Sequence, residues 1–515
     1  MSVTVTAPVP VPVFVSVTVS VSVILPVTVT VTVTVALPVA SSLRLPLPLL
    51  HRPGPGRMVV RTGGGAMRAI VVGGGLVGST LAGKLAADGH DIVVVEQDRE
   101  LLADIADRLD VQTLVGNGAT VPVLVDAGIE GCDLLFATTN SDEANMVVAL
   151  VGSALFKVPR VVARLRDAGH QESFKALAAE GGGQRLAINP EEAAVERILS
   201  LLPVPGAVDA VPFLEGRILV AGFNIEPSSD FAGLLLSHLR LLFPAVPMLV
   251  VAIRRNGRWI VPHGEDEITA GDLVYFALDP GQVDNVLALL GRGRPRGRKV
   301  MIAGATRIGI RLAEILEGRG VPVTLVEEHR AACDQAAARL DRTLVIHGMP
   351  TDRELLEEEG IADVYGFVGC TEDHEVNVVS ALLTRQLGAG QTFAVVDNPA
   401  LVGLVGELGI DAIISPRMLS VSLALQFVRR GRVRAVAALL DDLVEVMEVE
   451  ASSGSRLASG RLAEIGLPRG VLVAAIQRGD RIFVPGGGDR VEPGDRALLI
   501  TTADAAGRLD GFLGG

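Results

Sequence analysis

Residues 68–96 read RAIVVGGGLVGSTLAGKLAADGHDIVVVE, and this stretch decides the fold. The apolar run 68–72 predicts a short buried strand, the segment 79–88 predicts a helix, and the run 91–95 predicts a second strand. A glycine-rich turn, 73–78, joins the first strand to the helix. A strand, a glycine turn, a helix and a second strand in this order predict the first βαβ unit of a parallel α/β sheet.

The glycine turn has the spacing that accommodates a dinucleotide. We expect Gly73 to make the tight turn, Gly75 to let a pyrophosphate approach the backbone, and Gly78 to allow close packing of the helix. The first amides of that helix would meet the phosphates. Glu96 comes directly after the second strand, where a carboxylate accepts both ribose hydroxyls and repels a 2′-phosphate. These features predict a nucleotide site, with a purely structural turn as the alternative.

Polar residues also follow the later strands of this unit. The loops 116–120 and 138–143 each come after a short apolar run, and the ligand crevice of an open parallel sheet lies outside such strand ends. The next predicted strand, 160–163, delivers Arg164 to the same edge. Its guanidinium is suited to phosphate oxygens, and the alternative for Arg164 is a surface salt bridge.

The same pattern returns after the linker 292–298. A strand at 299–303 leads to Gly304-Ala305-Thr306-Arg307-Ile308-Gly309, and a later strand ends on Glu327, at the same separation from Gly309 as Glu96 has from Gly78. Thr371 and Asn377 repeat Thr139 and Asn145 with identical spacing in the second copy. The chain is therefore predicted to hold two Rossmann units.

The two copies differ at the residues that would touch a nucleotide. Thr306 replaces the middle glycine, which places a Cβ atom where the diphosphate should approach, and Val395 stands where the first unit has Arg164. We expect the second crevice to bind a nucleotide more weakly, differently or not at all. Its candidate residues are Gly304, Thr306, Arg307, Ile308, Gly309 and Glu327.

A small module follows each Rossmann unit. The first contains Pro262, Gly264 and Gly271-Asp272, and the second contains Pro485, Gly487 and Gly494-Asp495. Short strands around Asn-Gly and Gly-Asp turns predict a compact α+β module in each case. We interpret the shared Gly-Asp as turn chemistry. The predicted fold class is α/β, with two Rossmann-like doubly wound parallel sheets, each followed by a small α+β module.

Composition excludes several functional classes. The 46 Lys and Arg against 59 Asp and Glu give a net charge of −13, which argues against sequence-independent binding to nucleic acid or anionic lipid. Three cysteines without C-x-x-C spacing predict neither a disulfide framework nor a zinc site. We predict no catalytic residue and no metal ligand.

The segment 1–66 differs from the rest. Val alternates with Thr or Ser, several prolines interrupt the pattern, and no charged residue precedes Arg44. Prolines and a period of two are poor for a spanning helix. We expect a disordered or artefactual extension, with Met67 as the natural start.

Four features together resemble the TrkA family over about 67–513. They are the acidic residue that follows G-x-G-x-x-G at the end of the second strand, the T-x-x-x-E-x-N stretch, the arginine at the end of a strand, and the P-x-G…GD module. Members of this family are cytosolic regulatory subunits of Trk-type potassium uptake systems. The resemblance implies RCK (KTN) domains that bind NAD(H), ATP or ADP. It also implies a homotetrameric ring of eight units, peripheral to the cytoplasmic face of the cell membrane, beneath a membrane-embedded potassium-translocating subunit.

The resemblance also implies binding residues and boundaries. The binding residues are Gly73, Gly74, Gly75, Leu76, Val77, Gly78, Glu96, Gln97, Asp98, Asn117, Thr138, Thr139 and Arg164. The expected boundaries are 67–187 and 299–414 for the RCK N-terminal Rossmann domains, 188–207 and 415–433 for linker helices, and 208–291 and 434–515 for the RCK C-terminal domains. The alternatives are an NAD-dependent dehydrogenase, for which no proton-relay residue or substrate domain is visible, and a scaffold that has lost its nucleotide.

Overall fold

The structure is a computed structural model that describes most of the chain. The described residues are 13–21, 29–37, 66–180, 183–293, 297–398, 409–429, 435–439, 444–468, 470–502, 505, 509 and 512. They fall into two compact parts, Met1–Gly65 and Ala66–Gly515. In the N-terminal part, β1 (Val13–Val21) pairs antiparallel with β2 (Val29–Leu37). That 1–66 is a disordered or artefactual extension stays a prediction, as do the other domain boundaries.

The first Rossmann unit is a six-stranded, fully parallel sheet in the order β5-β4-β3-β6-β7-β8. Its strands are β3 (Arg68–Val72), β4 (Asp91–Glu96), β5 (Gln112–Val115), β6 (Leu134–Ala137), β7 (Arg160–Arg164) and β8 (Gln184–Ile188). Its helices are α1 (Leu76–Ala87), α2 (Arg99–Arg108), α3 (Val121–Asp126), α4 (Asp142–Leu150) and α5 (Ala168–Glu180). The strand order reverses between β3 and β6, so the ligand crevice of this fold lies at their carboxyl ends.

A connecting helix and an antiparallel module follow. The connecting helix is α6 (Pro190–Leu201), whose N-cap Asn189 accepts the N–H groups of Glu191 and Glu192. The elements of the module are β9 (Asp209–Phe213), β10 (Ile218–Asn224), α7 (Leu236–Leu242), β11 (Met248–Arg255), β12 (Arg258–Ile260), β13 (Leu273–Leu278) and α8 (Val283–Leu289). The sheet order is β12-β11-β13-β10-β9.

The second half of the chain repeats this plan. Its parallel sheet has the order β16-β15-β14-β17-β18-β19, formed by β14 (Lys299–Ala303), β15 (Val323–Glu327), β16 (Leu344–His347), β17 (Val364–Gly369), β18 (Thr392–Val395) and β19 (Ala412–Ile414). The helices are α9 (Arg307–Gly318), α10 (Arg330–Arg339), α11 (Arg353–Glu358), α12 (His374–Gln386) and the connecting helix α13 (Pro416–Arg429). The last module contains β20 (Ala435–Leu439), β21 (Val444–Glu450), β22 (Val471–Arg478), β23 (Arg481–Phe483) and β24 (Arg496–Thr502).

The predicted fold class is confirmed, and the repeat extends to irregularities. The second antiparallel sheet, β20-β21-β24-β22-β23, has the same order as the first when read from the other end. The pairing with the central strand shifts between Val250 and Ala252 in β11 and between Val473 and Ala475 in β22. A bulge is a specific feature of a strand, so its presence in both modules shows that they are two copies of one fold.

The shared Gly-Asp of the two modules does more than form a turn. Asp272 is 1% exposed and accepts the Nε and Nη2 groups of Arg255 at 2.8 and 2.7 Å. Asp495 accepts the same two groups of Arg478 at distances of 2.8 to 3.2 Å. Two parallel N–H···O bonds fix a guanidinium more firmly than one. The pair therefore ties the hairpin β11–β12 to β13, and β22–β23 to β24.

The two modules also pack on each other. One apolar cluster contains Val251 and Tyr275 of the first module together with Ala475 and Ile500 of the second. At its edge the carboxylate of Glu448 accepts the backbone N–H of a buried turn in the first module. Burying both inner sheet faces stabilises this pairing within the chain.

The connecting helices cross between the Rossmann units. Val195 and Ile198 of α6 belong to a core that includes Leu312 of the second unit. Phe427 of α13 packs in a core with Leu81 of the first unit. The sequence left open whether these helices pack between subunits or within the chain, and the structure places both within the chain. Of the residues expected on their apolar faces, Val195, Ile198, Leu199, Leu419 and Phe427 are packed, whereas Leu423 is 37% exposed.

The Rossmann unit on which each connecting helix packs also donates hydrogen bonds to the carbonyl groups at the end of that helix. The carbonyl of Leu202, just after α6, accepts the hydroxyl of Tyr365 and the amide of Gln391, both at 2.9 Å. The carbonyl of Val428 in α13 accepts Arg160 of the first unit. Since the last carbonyls of a helix have no partner inside the helix, these bonds anchor each crossing helix. Among the described residues, no helix is long and apolar enough to cross a membrane.

Candidate functional site

The glycine turn leaves the N-terminus of α1 open. Gly73 has a φ of +103°, and a Cβ there would lie 2.8 Å from the backbone nitrogen of Thr139. A Cβ on Gly78 would lie 1.9 Å from the carbonyl oxygen of Gly73, so only glycine allows this approach. A Cβ on Gly75 would meet nothing within 4 Å, and no side chain caps α1 at this residue. Free amides facing open space at a helix N-terminus are suited to an anion.

Glu96 is held in a fixed orientation at the end of β4. Its Oε2 accepts the backbone N–H of Gly74 at 2.7 Å, and its Oε1 accepts that of Gln97 at 2.6 Å. Asp98 caps α2 by accepting the N–H groups of Glu100 and Leu101 at 2.9 and 3.2 Å. Of these two acids Glu96 is the one beside the glycine turn, since its carboxylate bonds to Gly74, whereas Asp98 caps the next helix.

A cavity of about 420 Å³ joins these elements at the carboxyl ends of the strands. We name it the first crevice. Eight of the predicted binding residues line it, namely Gly73, Gly75, Glu96, Gln97, Asp98, Asn117, Thr138 and Thr139. The loop at Asn117 is closed by a 3.0 Å bond from the N–H of Ala119 to the Asn117 side chain. The fold thus brings together residues that are far apart in the sequence.

The two threonines at the end of β6 have partners within the protein. The hydroxyl of Thr138 donates to the carbonyl oxygens of Val72 and Gly73, at 3.1 and 3.2 Å. Thr139 bonds to the fully buried Asn145, whose amide also donates to the carbonyl of Arg164 at 2.8 Å. The T-x-x-x-E-x-N stretch therefore holds the carboxyl ends of β6 and β7 together through the Asn145 side chain.

Arg164 does not line the first crevice. It lines a second cavity of about 690 Å³, with Gly75, Leu76, Val77 and Thr138 of the first unit and Thr306, Arg307 and Ile308 of the second. We name this the inter-unit cavity. It shares Gly75, Thr138 and Asn140 with the first crevice. A ligand lying over Gly75 would therefore reach both cavities. Arg164 and Glu96 were expected at one site, but they line different cavities.

The second glycine turn is closed by its own side chain. The hydroxyl of Thr306 donates to the carbonyl of Cys370 at 2.7 Å and accepts the N–H of Gly309 at 3.3 Å, so α9 is capped. This hydroxyl takes an amide that would otherwise be free for a phosphate. Gly304 repeats the turn with a φ of +108°. A Cβ on Gly309 would lie 2.0 Å from the Gly304 carbonyl oxygen.

Glu327 is held by backbone N–H groups as Glu96 is, with an imidazole in addition. The residue is 8% exposed, and its carboxylate accepts the N–H groups of Ala305 and His329 at 2.7 and 2.8 Å, with the His329 ring 3.1 Å away. Burial raises the pKa of Glu327, but these N–H groups and the imidazole outweigh it and hold the pKa below its usual value. An ionised carboxylate is therefore maintained without any ribose.

Sequence reasoning missed two residues around the inter-unit cavity. Arg166 and Arg417 line it, together with Asn140 of the loop 138–143, which was expected beside the crevice. The backbone N–H groups of Arg166 and Asp167 donate to Asp142 at 2.7 and 2.8 Å. The signal for Arg166 was its position just beyond Arg164 at the end of β7. Arg417 had no comparable signal, because it lies on the connecting helix of the other half.

Comparison with known proteins places the chain in a family. The model of the TrkA-N domain matches residues 69–181 and 300–416, and that of the TrkA-C domain matches residues 220–291 and 446–514. A Trk system potassium uptake protein TrkA from Azorhizobium caulinodans is 36% identical over 448 residues, which cover 86% of this chain and 98% of that protein.

Solved structures share the architecture. The crystal structure of the GsuK RCK domain has a TM-score of 0.55 at 20% identity and covers 88% of this chain and 96% of its own. The GsuK channel bound to NAD has a TM-score of 0.55 at 19% identity, covering 88% and 80%. With two TrkA-N and two TrkA-C domains in alternation, this chain belongs to the TrkA family of Trk system potassium uptake proteins.

Proposed function

We propose that the chain is a peripheral cytosolic regulatory subunit that binds NAD(H), or ATP or ADP, in the first crevice and gates a Trk-type potassium transporter. The observation that carries the proposal is the uncapped N-terminus of α1 at Gly75, with open space where a Cβ would be and Glu96 on the same cavity. Phosphate on the amides and ribose on the carboxylate is the arrangement by which Rossmann folds hold dinucleotides.

The chemistry of the first crevice favours nucleotides without a 2′-phosphate. The carboxylate of Glu96 is oriented by three backbone N–H groups, those of Gly74, Gln97 and Asp98. A fixed carboxylate accepts ribose hydroxyls and repels a phosphate in their place. We therefore expect NADH to bind and NADPH to bind much less tightly.

The same lining argues for a regulator rather than an enzyme. No His, Lys, Cys or Tyr occurs among the described residues that line the first crevice, so the side chains that most often relay protons to a substrate are lacking there. A dehydrogenase would also need a substrate-binding domain closing over the cofactor. The modules that follow each Rossmann unit pack on each other instead.

Regulation requires that the nucleotide distinguish between two shapes. Helix α1, whose first turn would hold the phosphates, packs in one core with α13, which comes from the other half of the chain. Nucleotide binding can therefore bias the relative position of the two halves. A ligand that prefers one shape tenfold shifts the equilibrium by about 1.4 kcal/mol, and equal affinity shifts nothing. NAD and NADH, or ATP and ADP, act as opposing signals if they prefer different shapes.

We place the protein at the cytoplasmic face of the cell membrane as a homotetramer, bound there through its membrane-embedded Trk partner. The name of the relative from Azorhizobium caulinodans supports a potassium uptake role. Light scattering of the purified protein should then give four times the chain mass of 53.7 kDa. A stable monomer would contradict the tetrameric ring.

Isothermal titration tests the ligand. The protein should bind NADH or an adenine nucleotide saturably and without turnover. Glu96→Ala should weaken that binding and reduce the ratio of NADH affinity to NADPH affinity. Glu265→Ala, an exposed acid outside the crevice, serves as the matched control. Absence of binding by NADH, NAD, ATP and ADP would leave the scaffold as the better function.

A further inference from the structure

The inter-unit cavity is asymmetric in charge. The two connecting helices begin with related sequences, Asn189-Pro190-Glu191 and Ser415-Pro416-Arg417, and both contribute to this cavity. An acid in the first half thus corresponds to a base in the second. Four arginines face three carboxylates around the cavity, these residues being Arg164, Arg166, Arg307 and Arg417 against Glu191, Glu372 and Asp397.

Arg417 is buried with most of its donors unused. The residue is 6% exposed. Its Nη2 donates to the carbonyl of Asp397, and its backbone N–H donates to the Asp397 side chain at 3.1 Å. Nε and Nη1 have no hydrogen-bond partner among the described residues. A guanidinium carries five N–H donors, so three of them are buried and unsatisfied. Leaving buried charged donors unpaired costs free energy, which an anion would recover.

The first half contributes a second guanidinium with a free donor. Nη1 of Arg164 bonds to Asn140 at 3.2 Å, but its Nε is buried and unpartnered among the described residues. Burial lowers the pKa of Arg164, and the charge of Arg166 lowers it further. Loss of water without a full set of partners makes this cation, like Arg417, favourable for an anionic ligand.

Arg307 differs because it has a partner. Its Nη1 lies 3.6 Å from Glu191 on α6, and its side chain is 70% exposed. The position of an anion is therefore set by Arg164 and Arg417, whose donors are free, and by the open amides of α1.

We propose that Arg417 binds a phosphate of the nucleotide held in the first crevice, so that the inter-unit cavity is a phosphate subsite to which both halves of the chain contribute. The inference rests on the proposed nucleotide binding and adds a residue from the second Rossmann unit to it. The two cavities meet at Gly75, Thr138 and Asn140. A phosphate bound to the α1 amides would lie between the ribose at Glu96 and the inter-unit cavity. Each further phosphate of the nucleotide would therefore lie closer to Arg417.

This subsite gives the second unit a role that does not need a nucleotide of its own. Its glycine turn is closed by Thr306, yet its connecting helix supplies a cation to the first site. A ligand with more phosphates then joins the two halves more strongly than a ligand with one. The number of phosphates would become the signal that the pair of units detects.

The test is isothermal titration of the full chain with adenosine, AMP, ADP and ATP, in the wild type and in Arg417→Gln and Arg417→Lys. We expect Arg417→Gln to weaken ATP or ADP by about tenfold to a hundredfold, since a charge-assisted bond to phosphate is lost. AMP and adenosine should change by less than about threefold. Arg417→Lys, which keeps the charge but not the fork, should fall between wild type and Arg417→Gln.

Controls separate binding from folding and from free anions. Arg311→Gln removes an arginine that also pairs across the units, with Glu192 at 3.2 Å, but that lies outside the cavity lining, so nucleotide affinity should not change. Thermal melting and the fluorescence of Trp259, the single tryptophan, check that each variant is folded. Inorganic pyrophosphate is titrated alone to detect an anion site independent of nucleotide.

Each other outcome overturns the proposal in a distinguishable way. Equal ATP affinity of wild type and Arg417→Gln would reject the subsite while leaving nucleotide binding intact. Pyrophosphate binding that depends on Arg417 while ATP affinity does not would identify a separate anion site instead. Failure of every nucleotide to bind the wild type would overturn both the proposed function and the subsite.

Discussion

Replacing Gly75 by aspartate should abolish nucleotide binding while making the ligand-free protein slightly more stable. Gly75 is the N-cap of α1, with a φ of −59° and a ψ of −174°, and no side chain caps the helix. A Cβ there would meet nothing within 4 Å. The substitution Gly75→Asp therefore brings no clash and no backbone strain.

The two effects have opposite signs and can be estimated separately. An aspartate N-cap improves on glycine by a few tenths of a kcal/mol, and its charge at the helix N-terminus adds about 0.3–1 kcal/mol. A phosphate that shares this site would meet a carboxylate about 4 Å away, which costs about 4 kcal/mol at an effective dielectric constant of 20. Affinity should therefore fall by about a thousandfold.

The assay combines calorimetric titration with melting of the ligand-free protein. Gly75→Asp should show no measurable binding of NADH, ATP or ADP, and a melting temperature equal to or above that of the wild type. Gly454→Asp makes the same change at an exposed glycine whose Cβ would also meet nothing within 4 Å, and it should bind as the wild type does. Unchanged affinity in Gly75→Asp, or a clear loss of stability, would refute the reasoning.

Three further outcomes are expected. Phe427→Ala should destabilise the first Rossmann unit by about 3–5 kcal/mol, measured by denaturant unfolding, because this side chain of α13 is 6% exposed in that unit's core. Burial raises the pKa of Asp272, but Arg255 and nearby N–H groups outweigh it and hold the pKa below its usual 3.8. Since the folded pKa is the lower one, this contribution to stability is present above pH 3.8 and is lost as the pH falls through the folded pKa. Burial raises the pKa of Cys370 to about 12 and that of Cys132 to about 11, so near neutral pH both thiols should react with an alkylating reagent only after unfolding.

Matched variants make these outcomes decisive. Leu423→Ala, on the same helix but 37% exposed, should cost far less than Phe427→Ala, and equal costs would contradict the crossed packing of α13. Acid unfolding of Asp272→Ala should lose part of the pH dependence, whereas Asp334→Ala, whose pair with Arg330 is exposed, should keep it. Rapid alkylation of Cys370 in the folded protein would contradict its burial.

Local chemistry explains why much of the geometry of the candidate site was predictable. The turn at Gly73 needs a positive φ, and the contact at Gly78 leaves no room for a Cβ, so both requirements are visible as glycines at fixed spacing. Glu96 was predictable for the same reason, because it ends the strand that follows the glycine turn. The substitution at Thr306 was visible too, but that its hydroxyl caps α9 and bonds to Cys370 depends on a strand that is distant in the sequence.

The sequence by itself determined the elements that repeat, namely two parallel α/β units, two antiparallel modules and an open glycine turn in the first unit alone. Local turn geometry and periodicity are enough for these, since each depends on neighbouring residues. Only the tertiary structure decided that α6 packs on the second Rossmann unit and α13 on the first. It also decided that the two modules share a core, and that Arg417 and Arg164 line one cavity. An apolar helix face is compatible with any apolar surface, so its partner is selected by the packing of the whole chain and not by its own sequence.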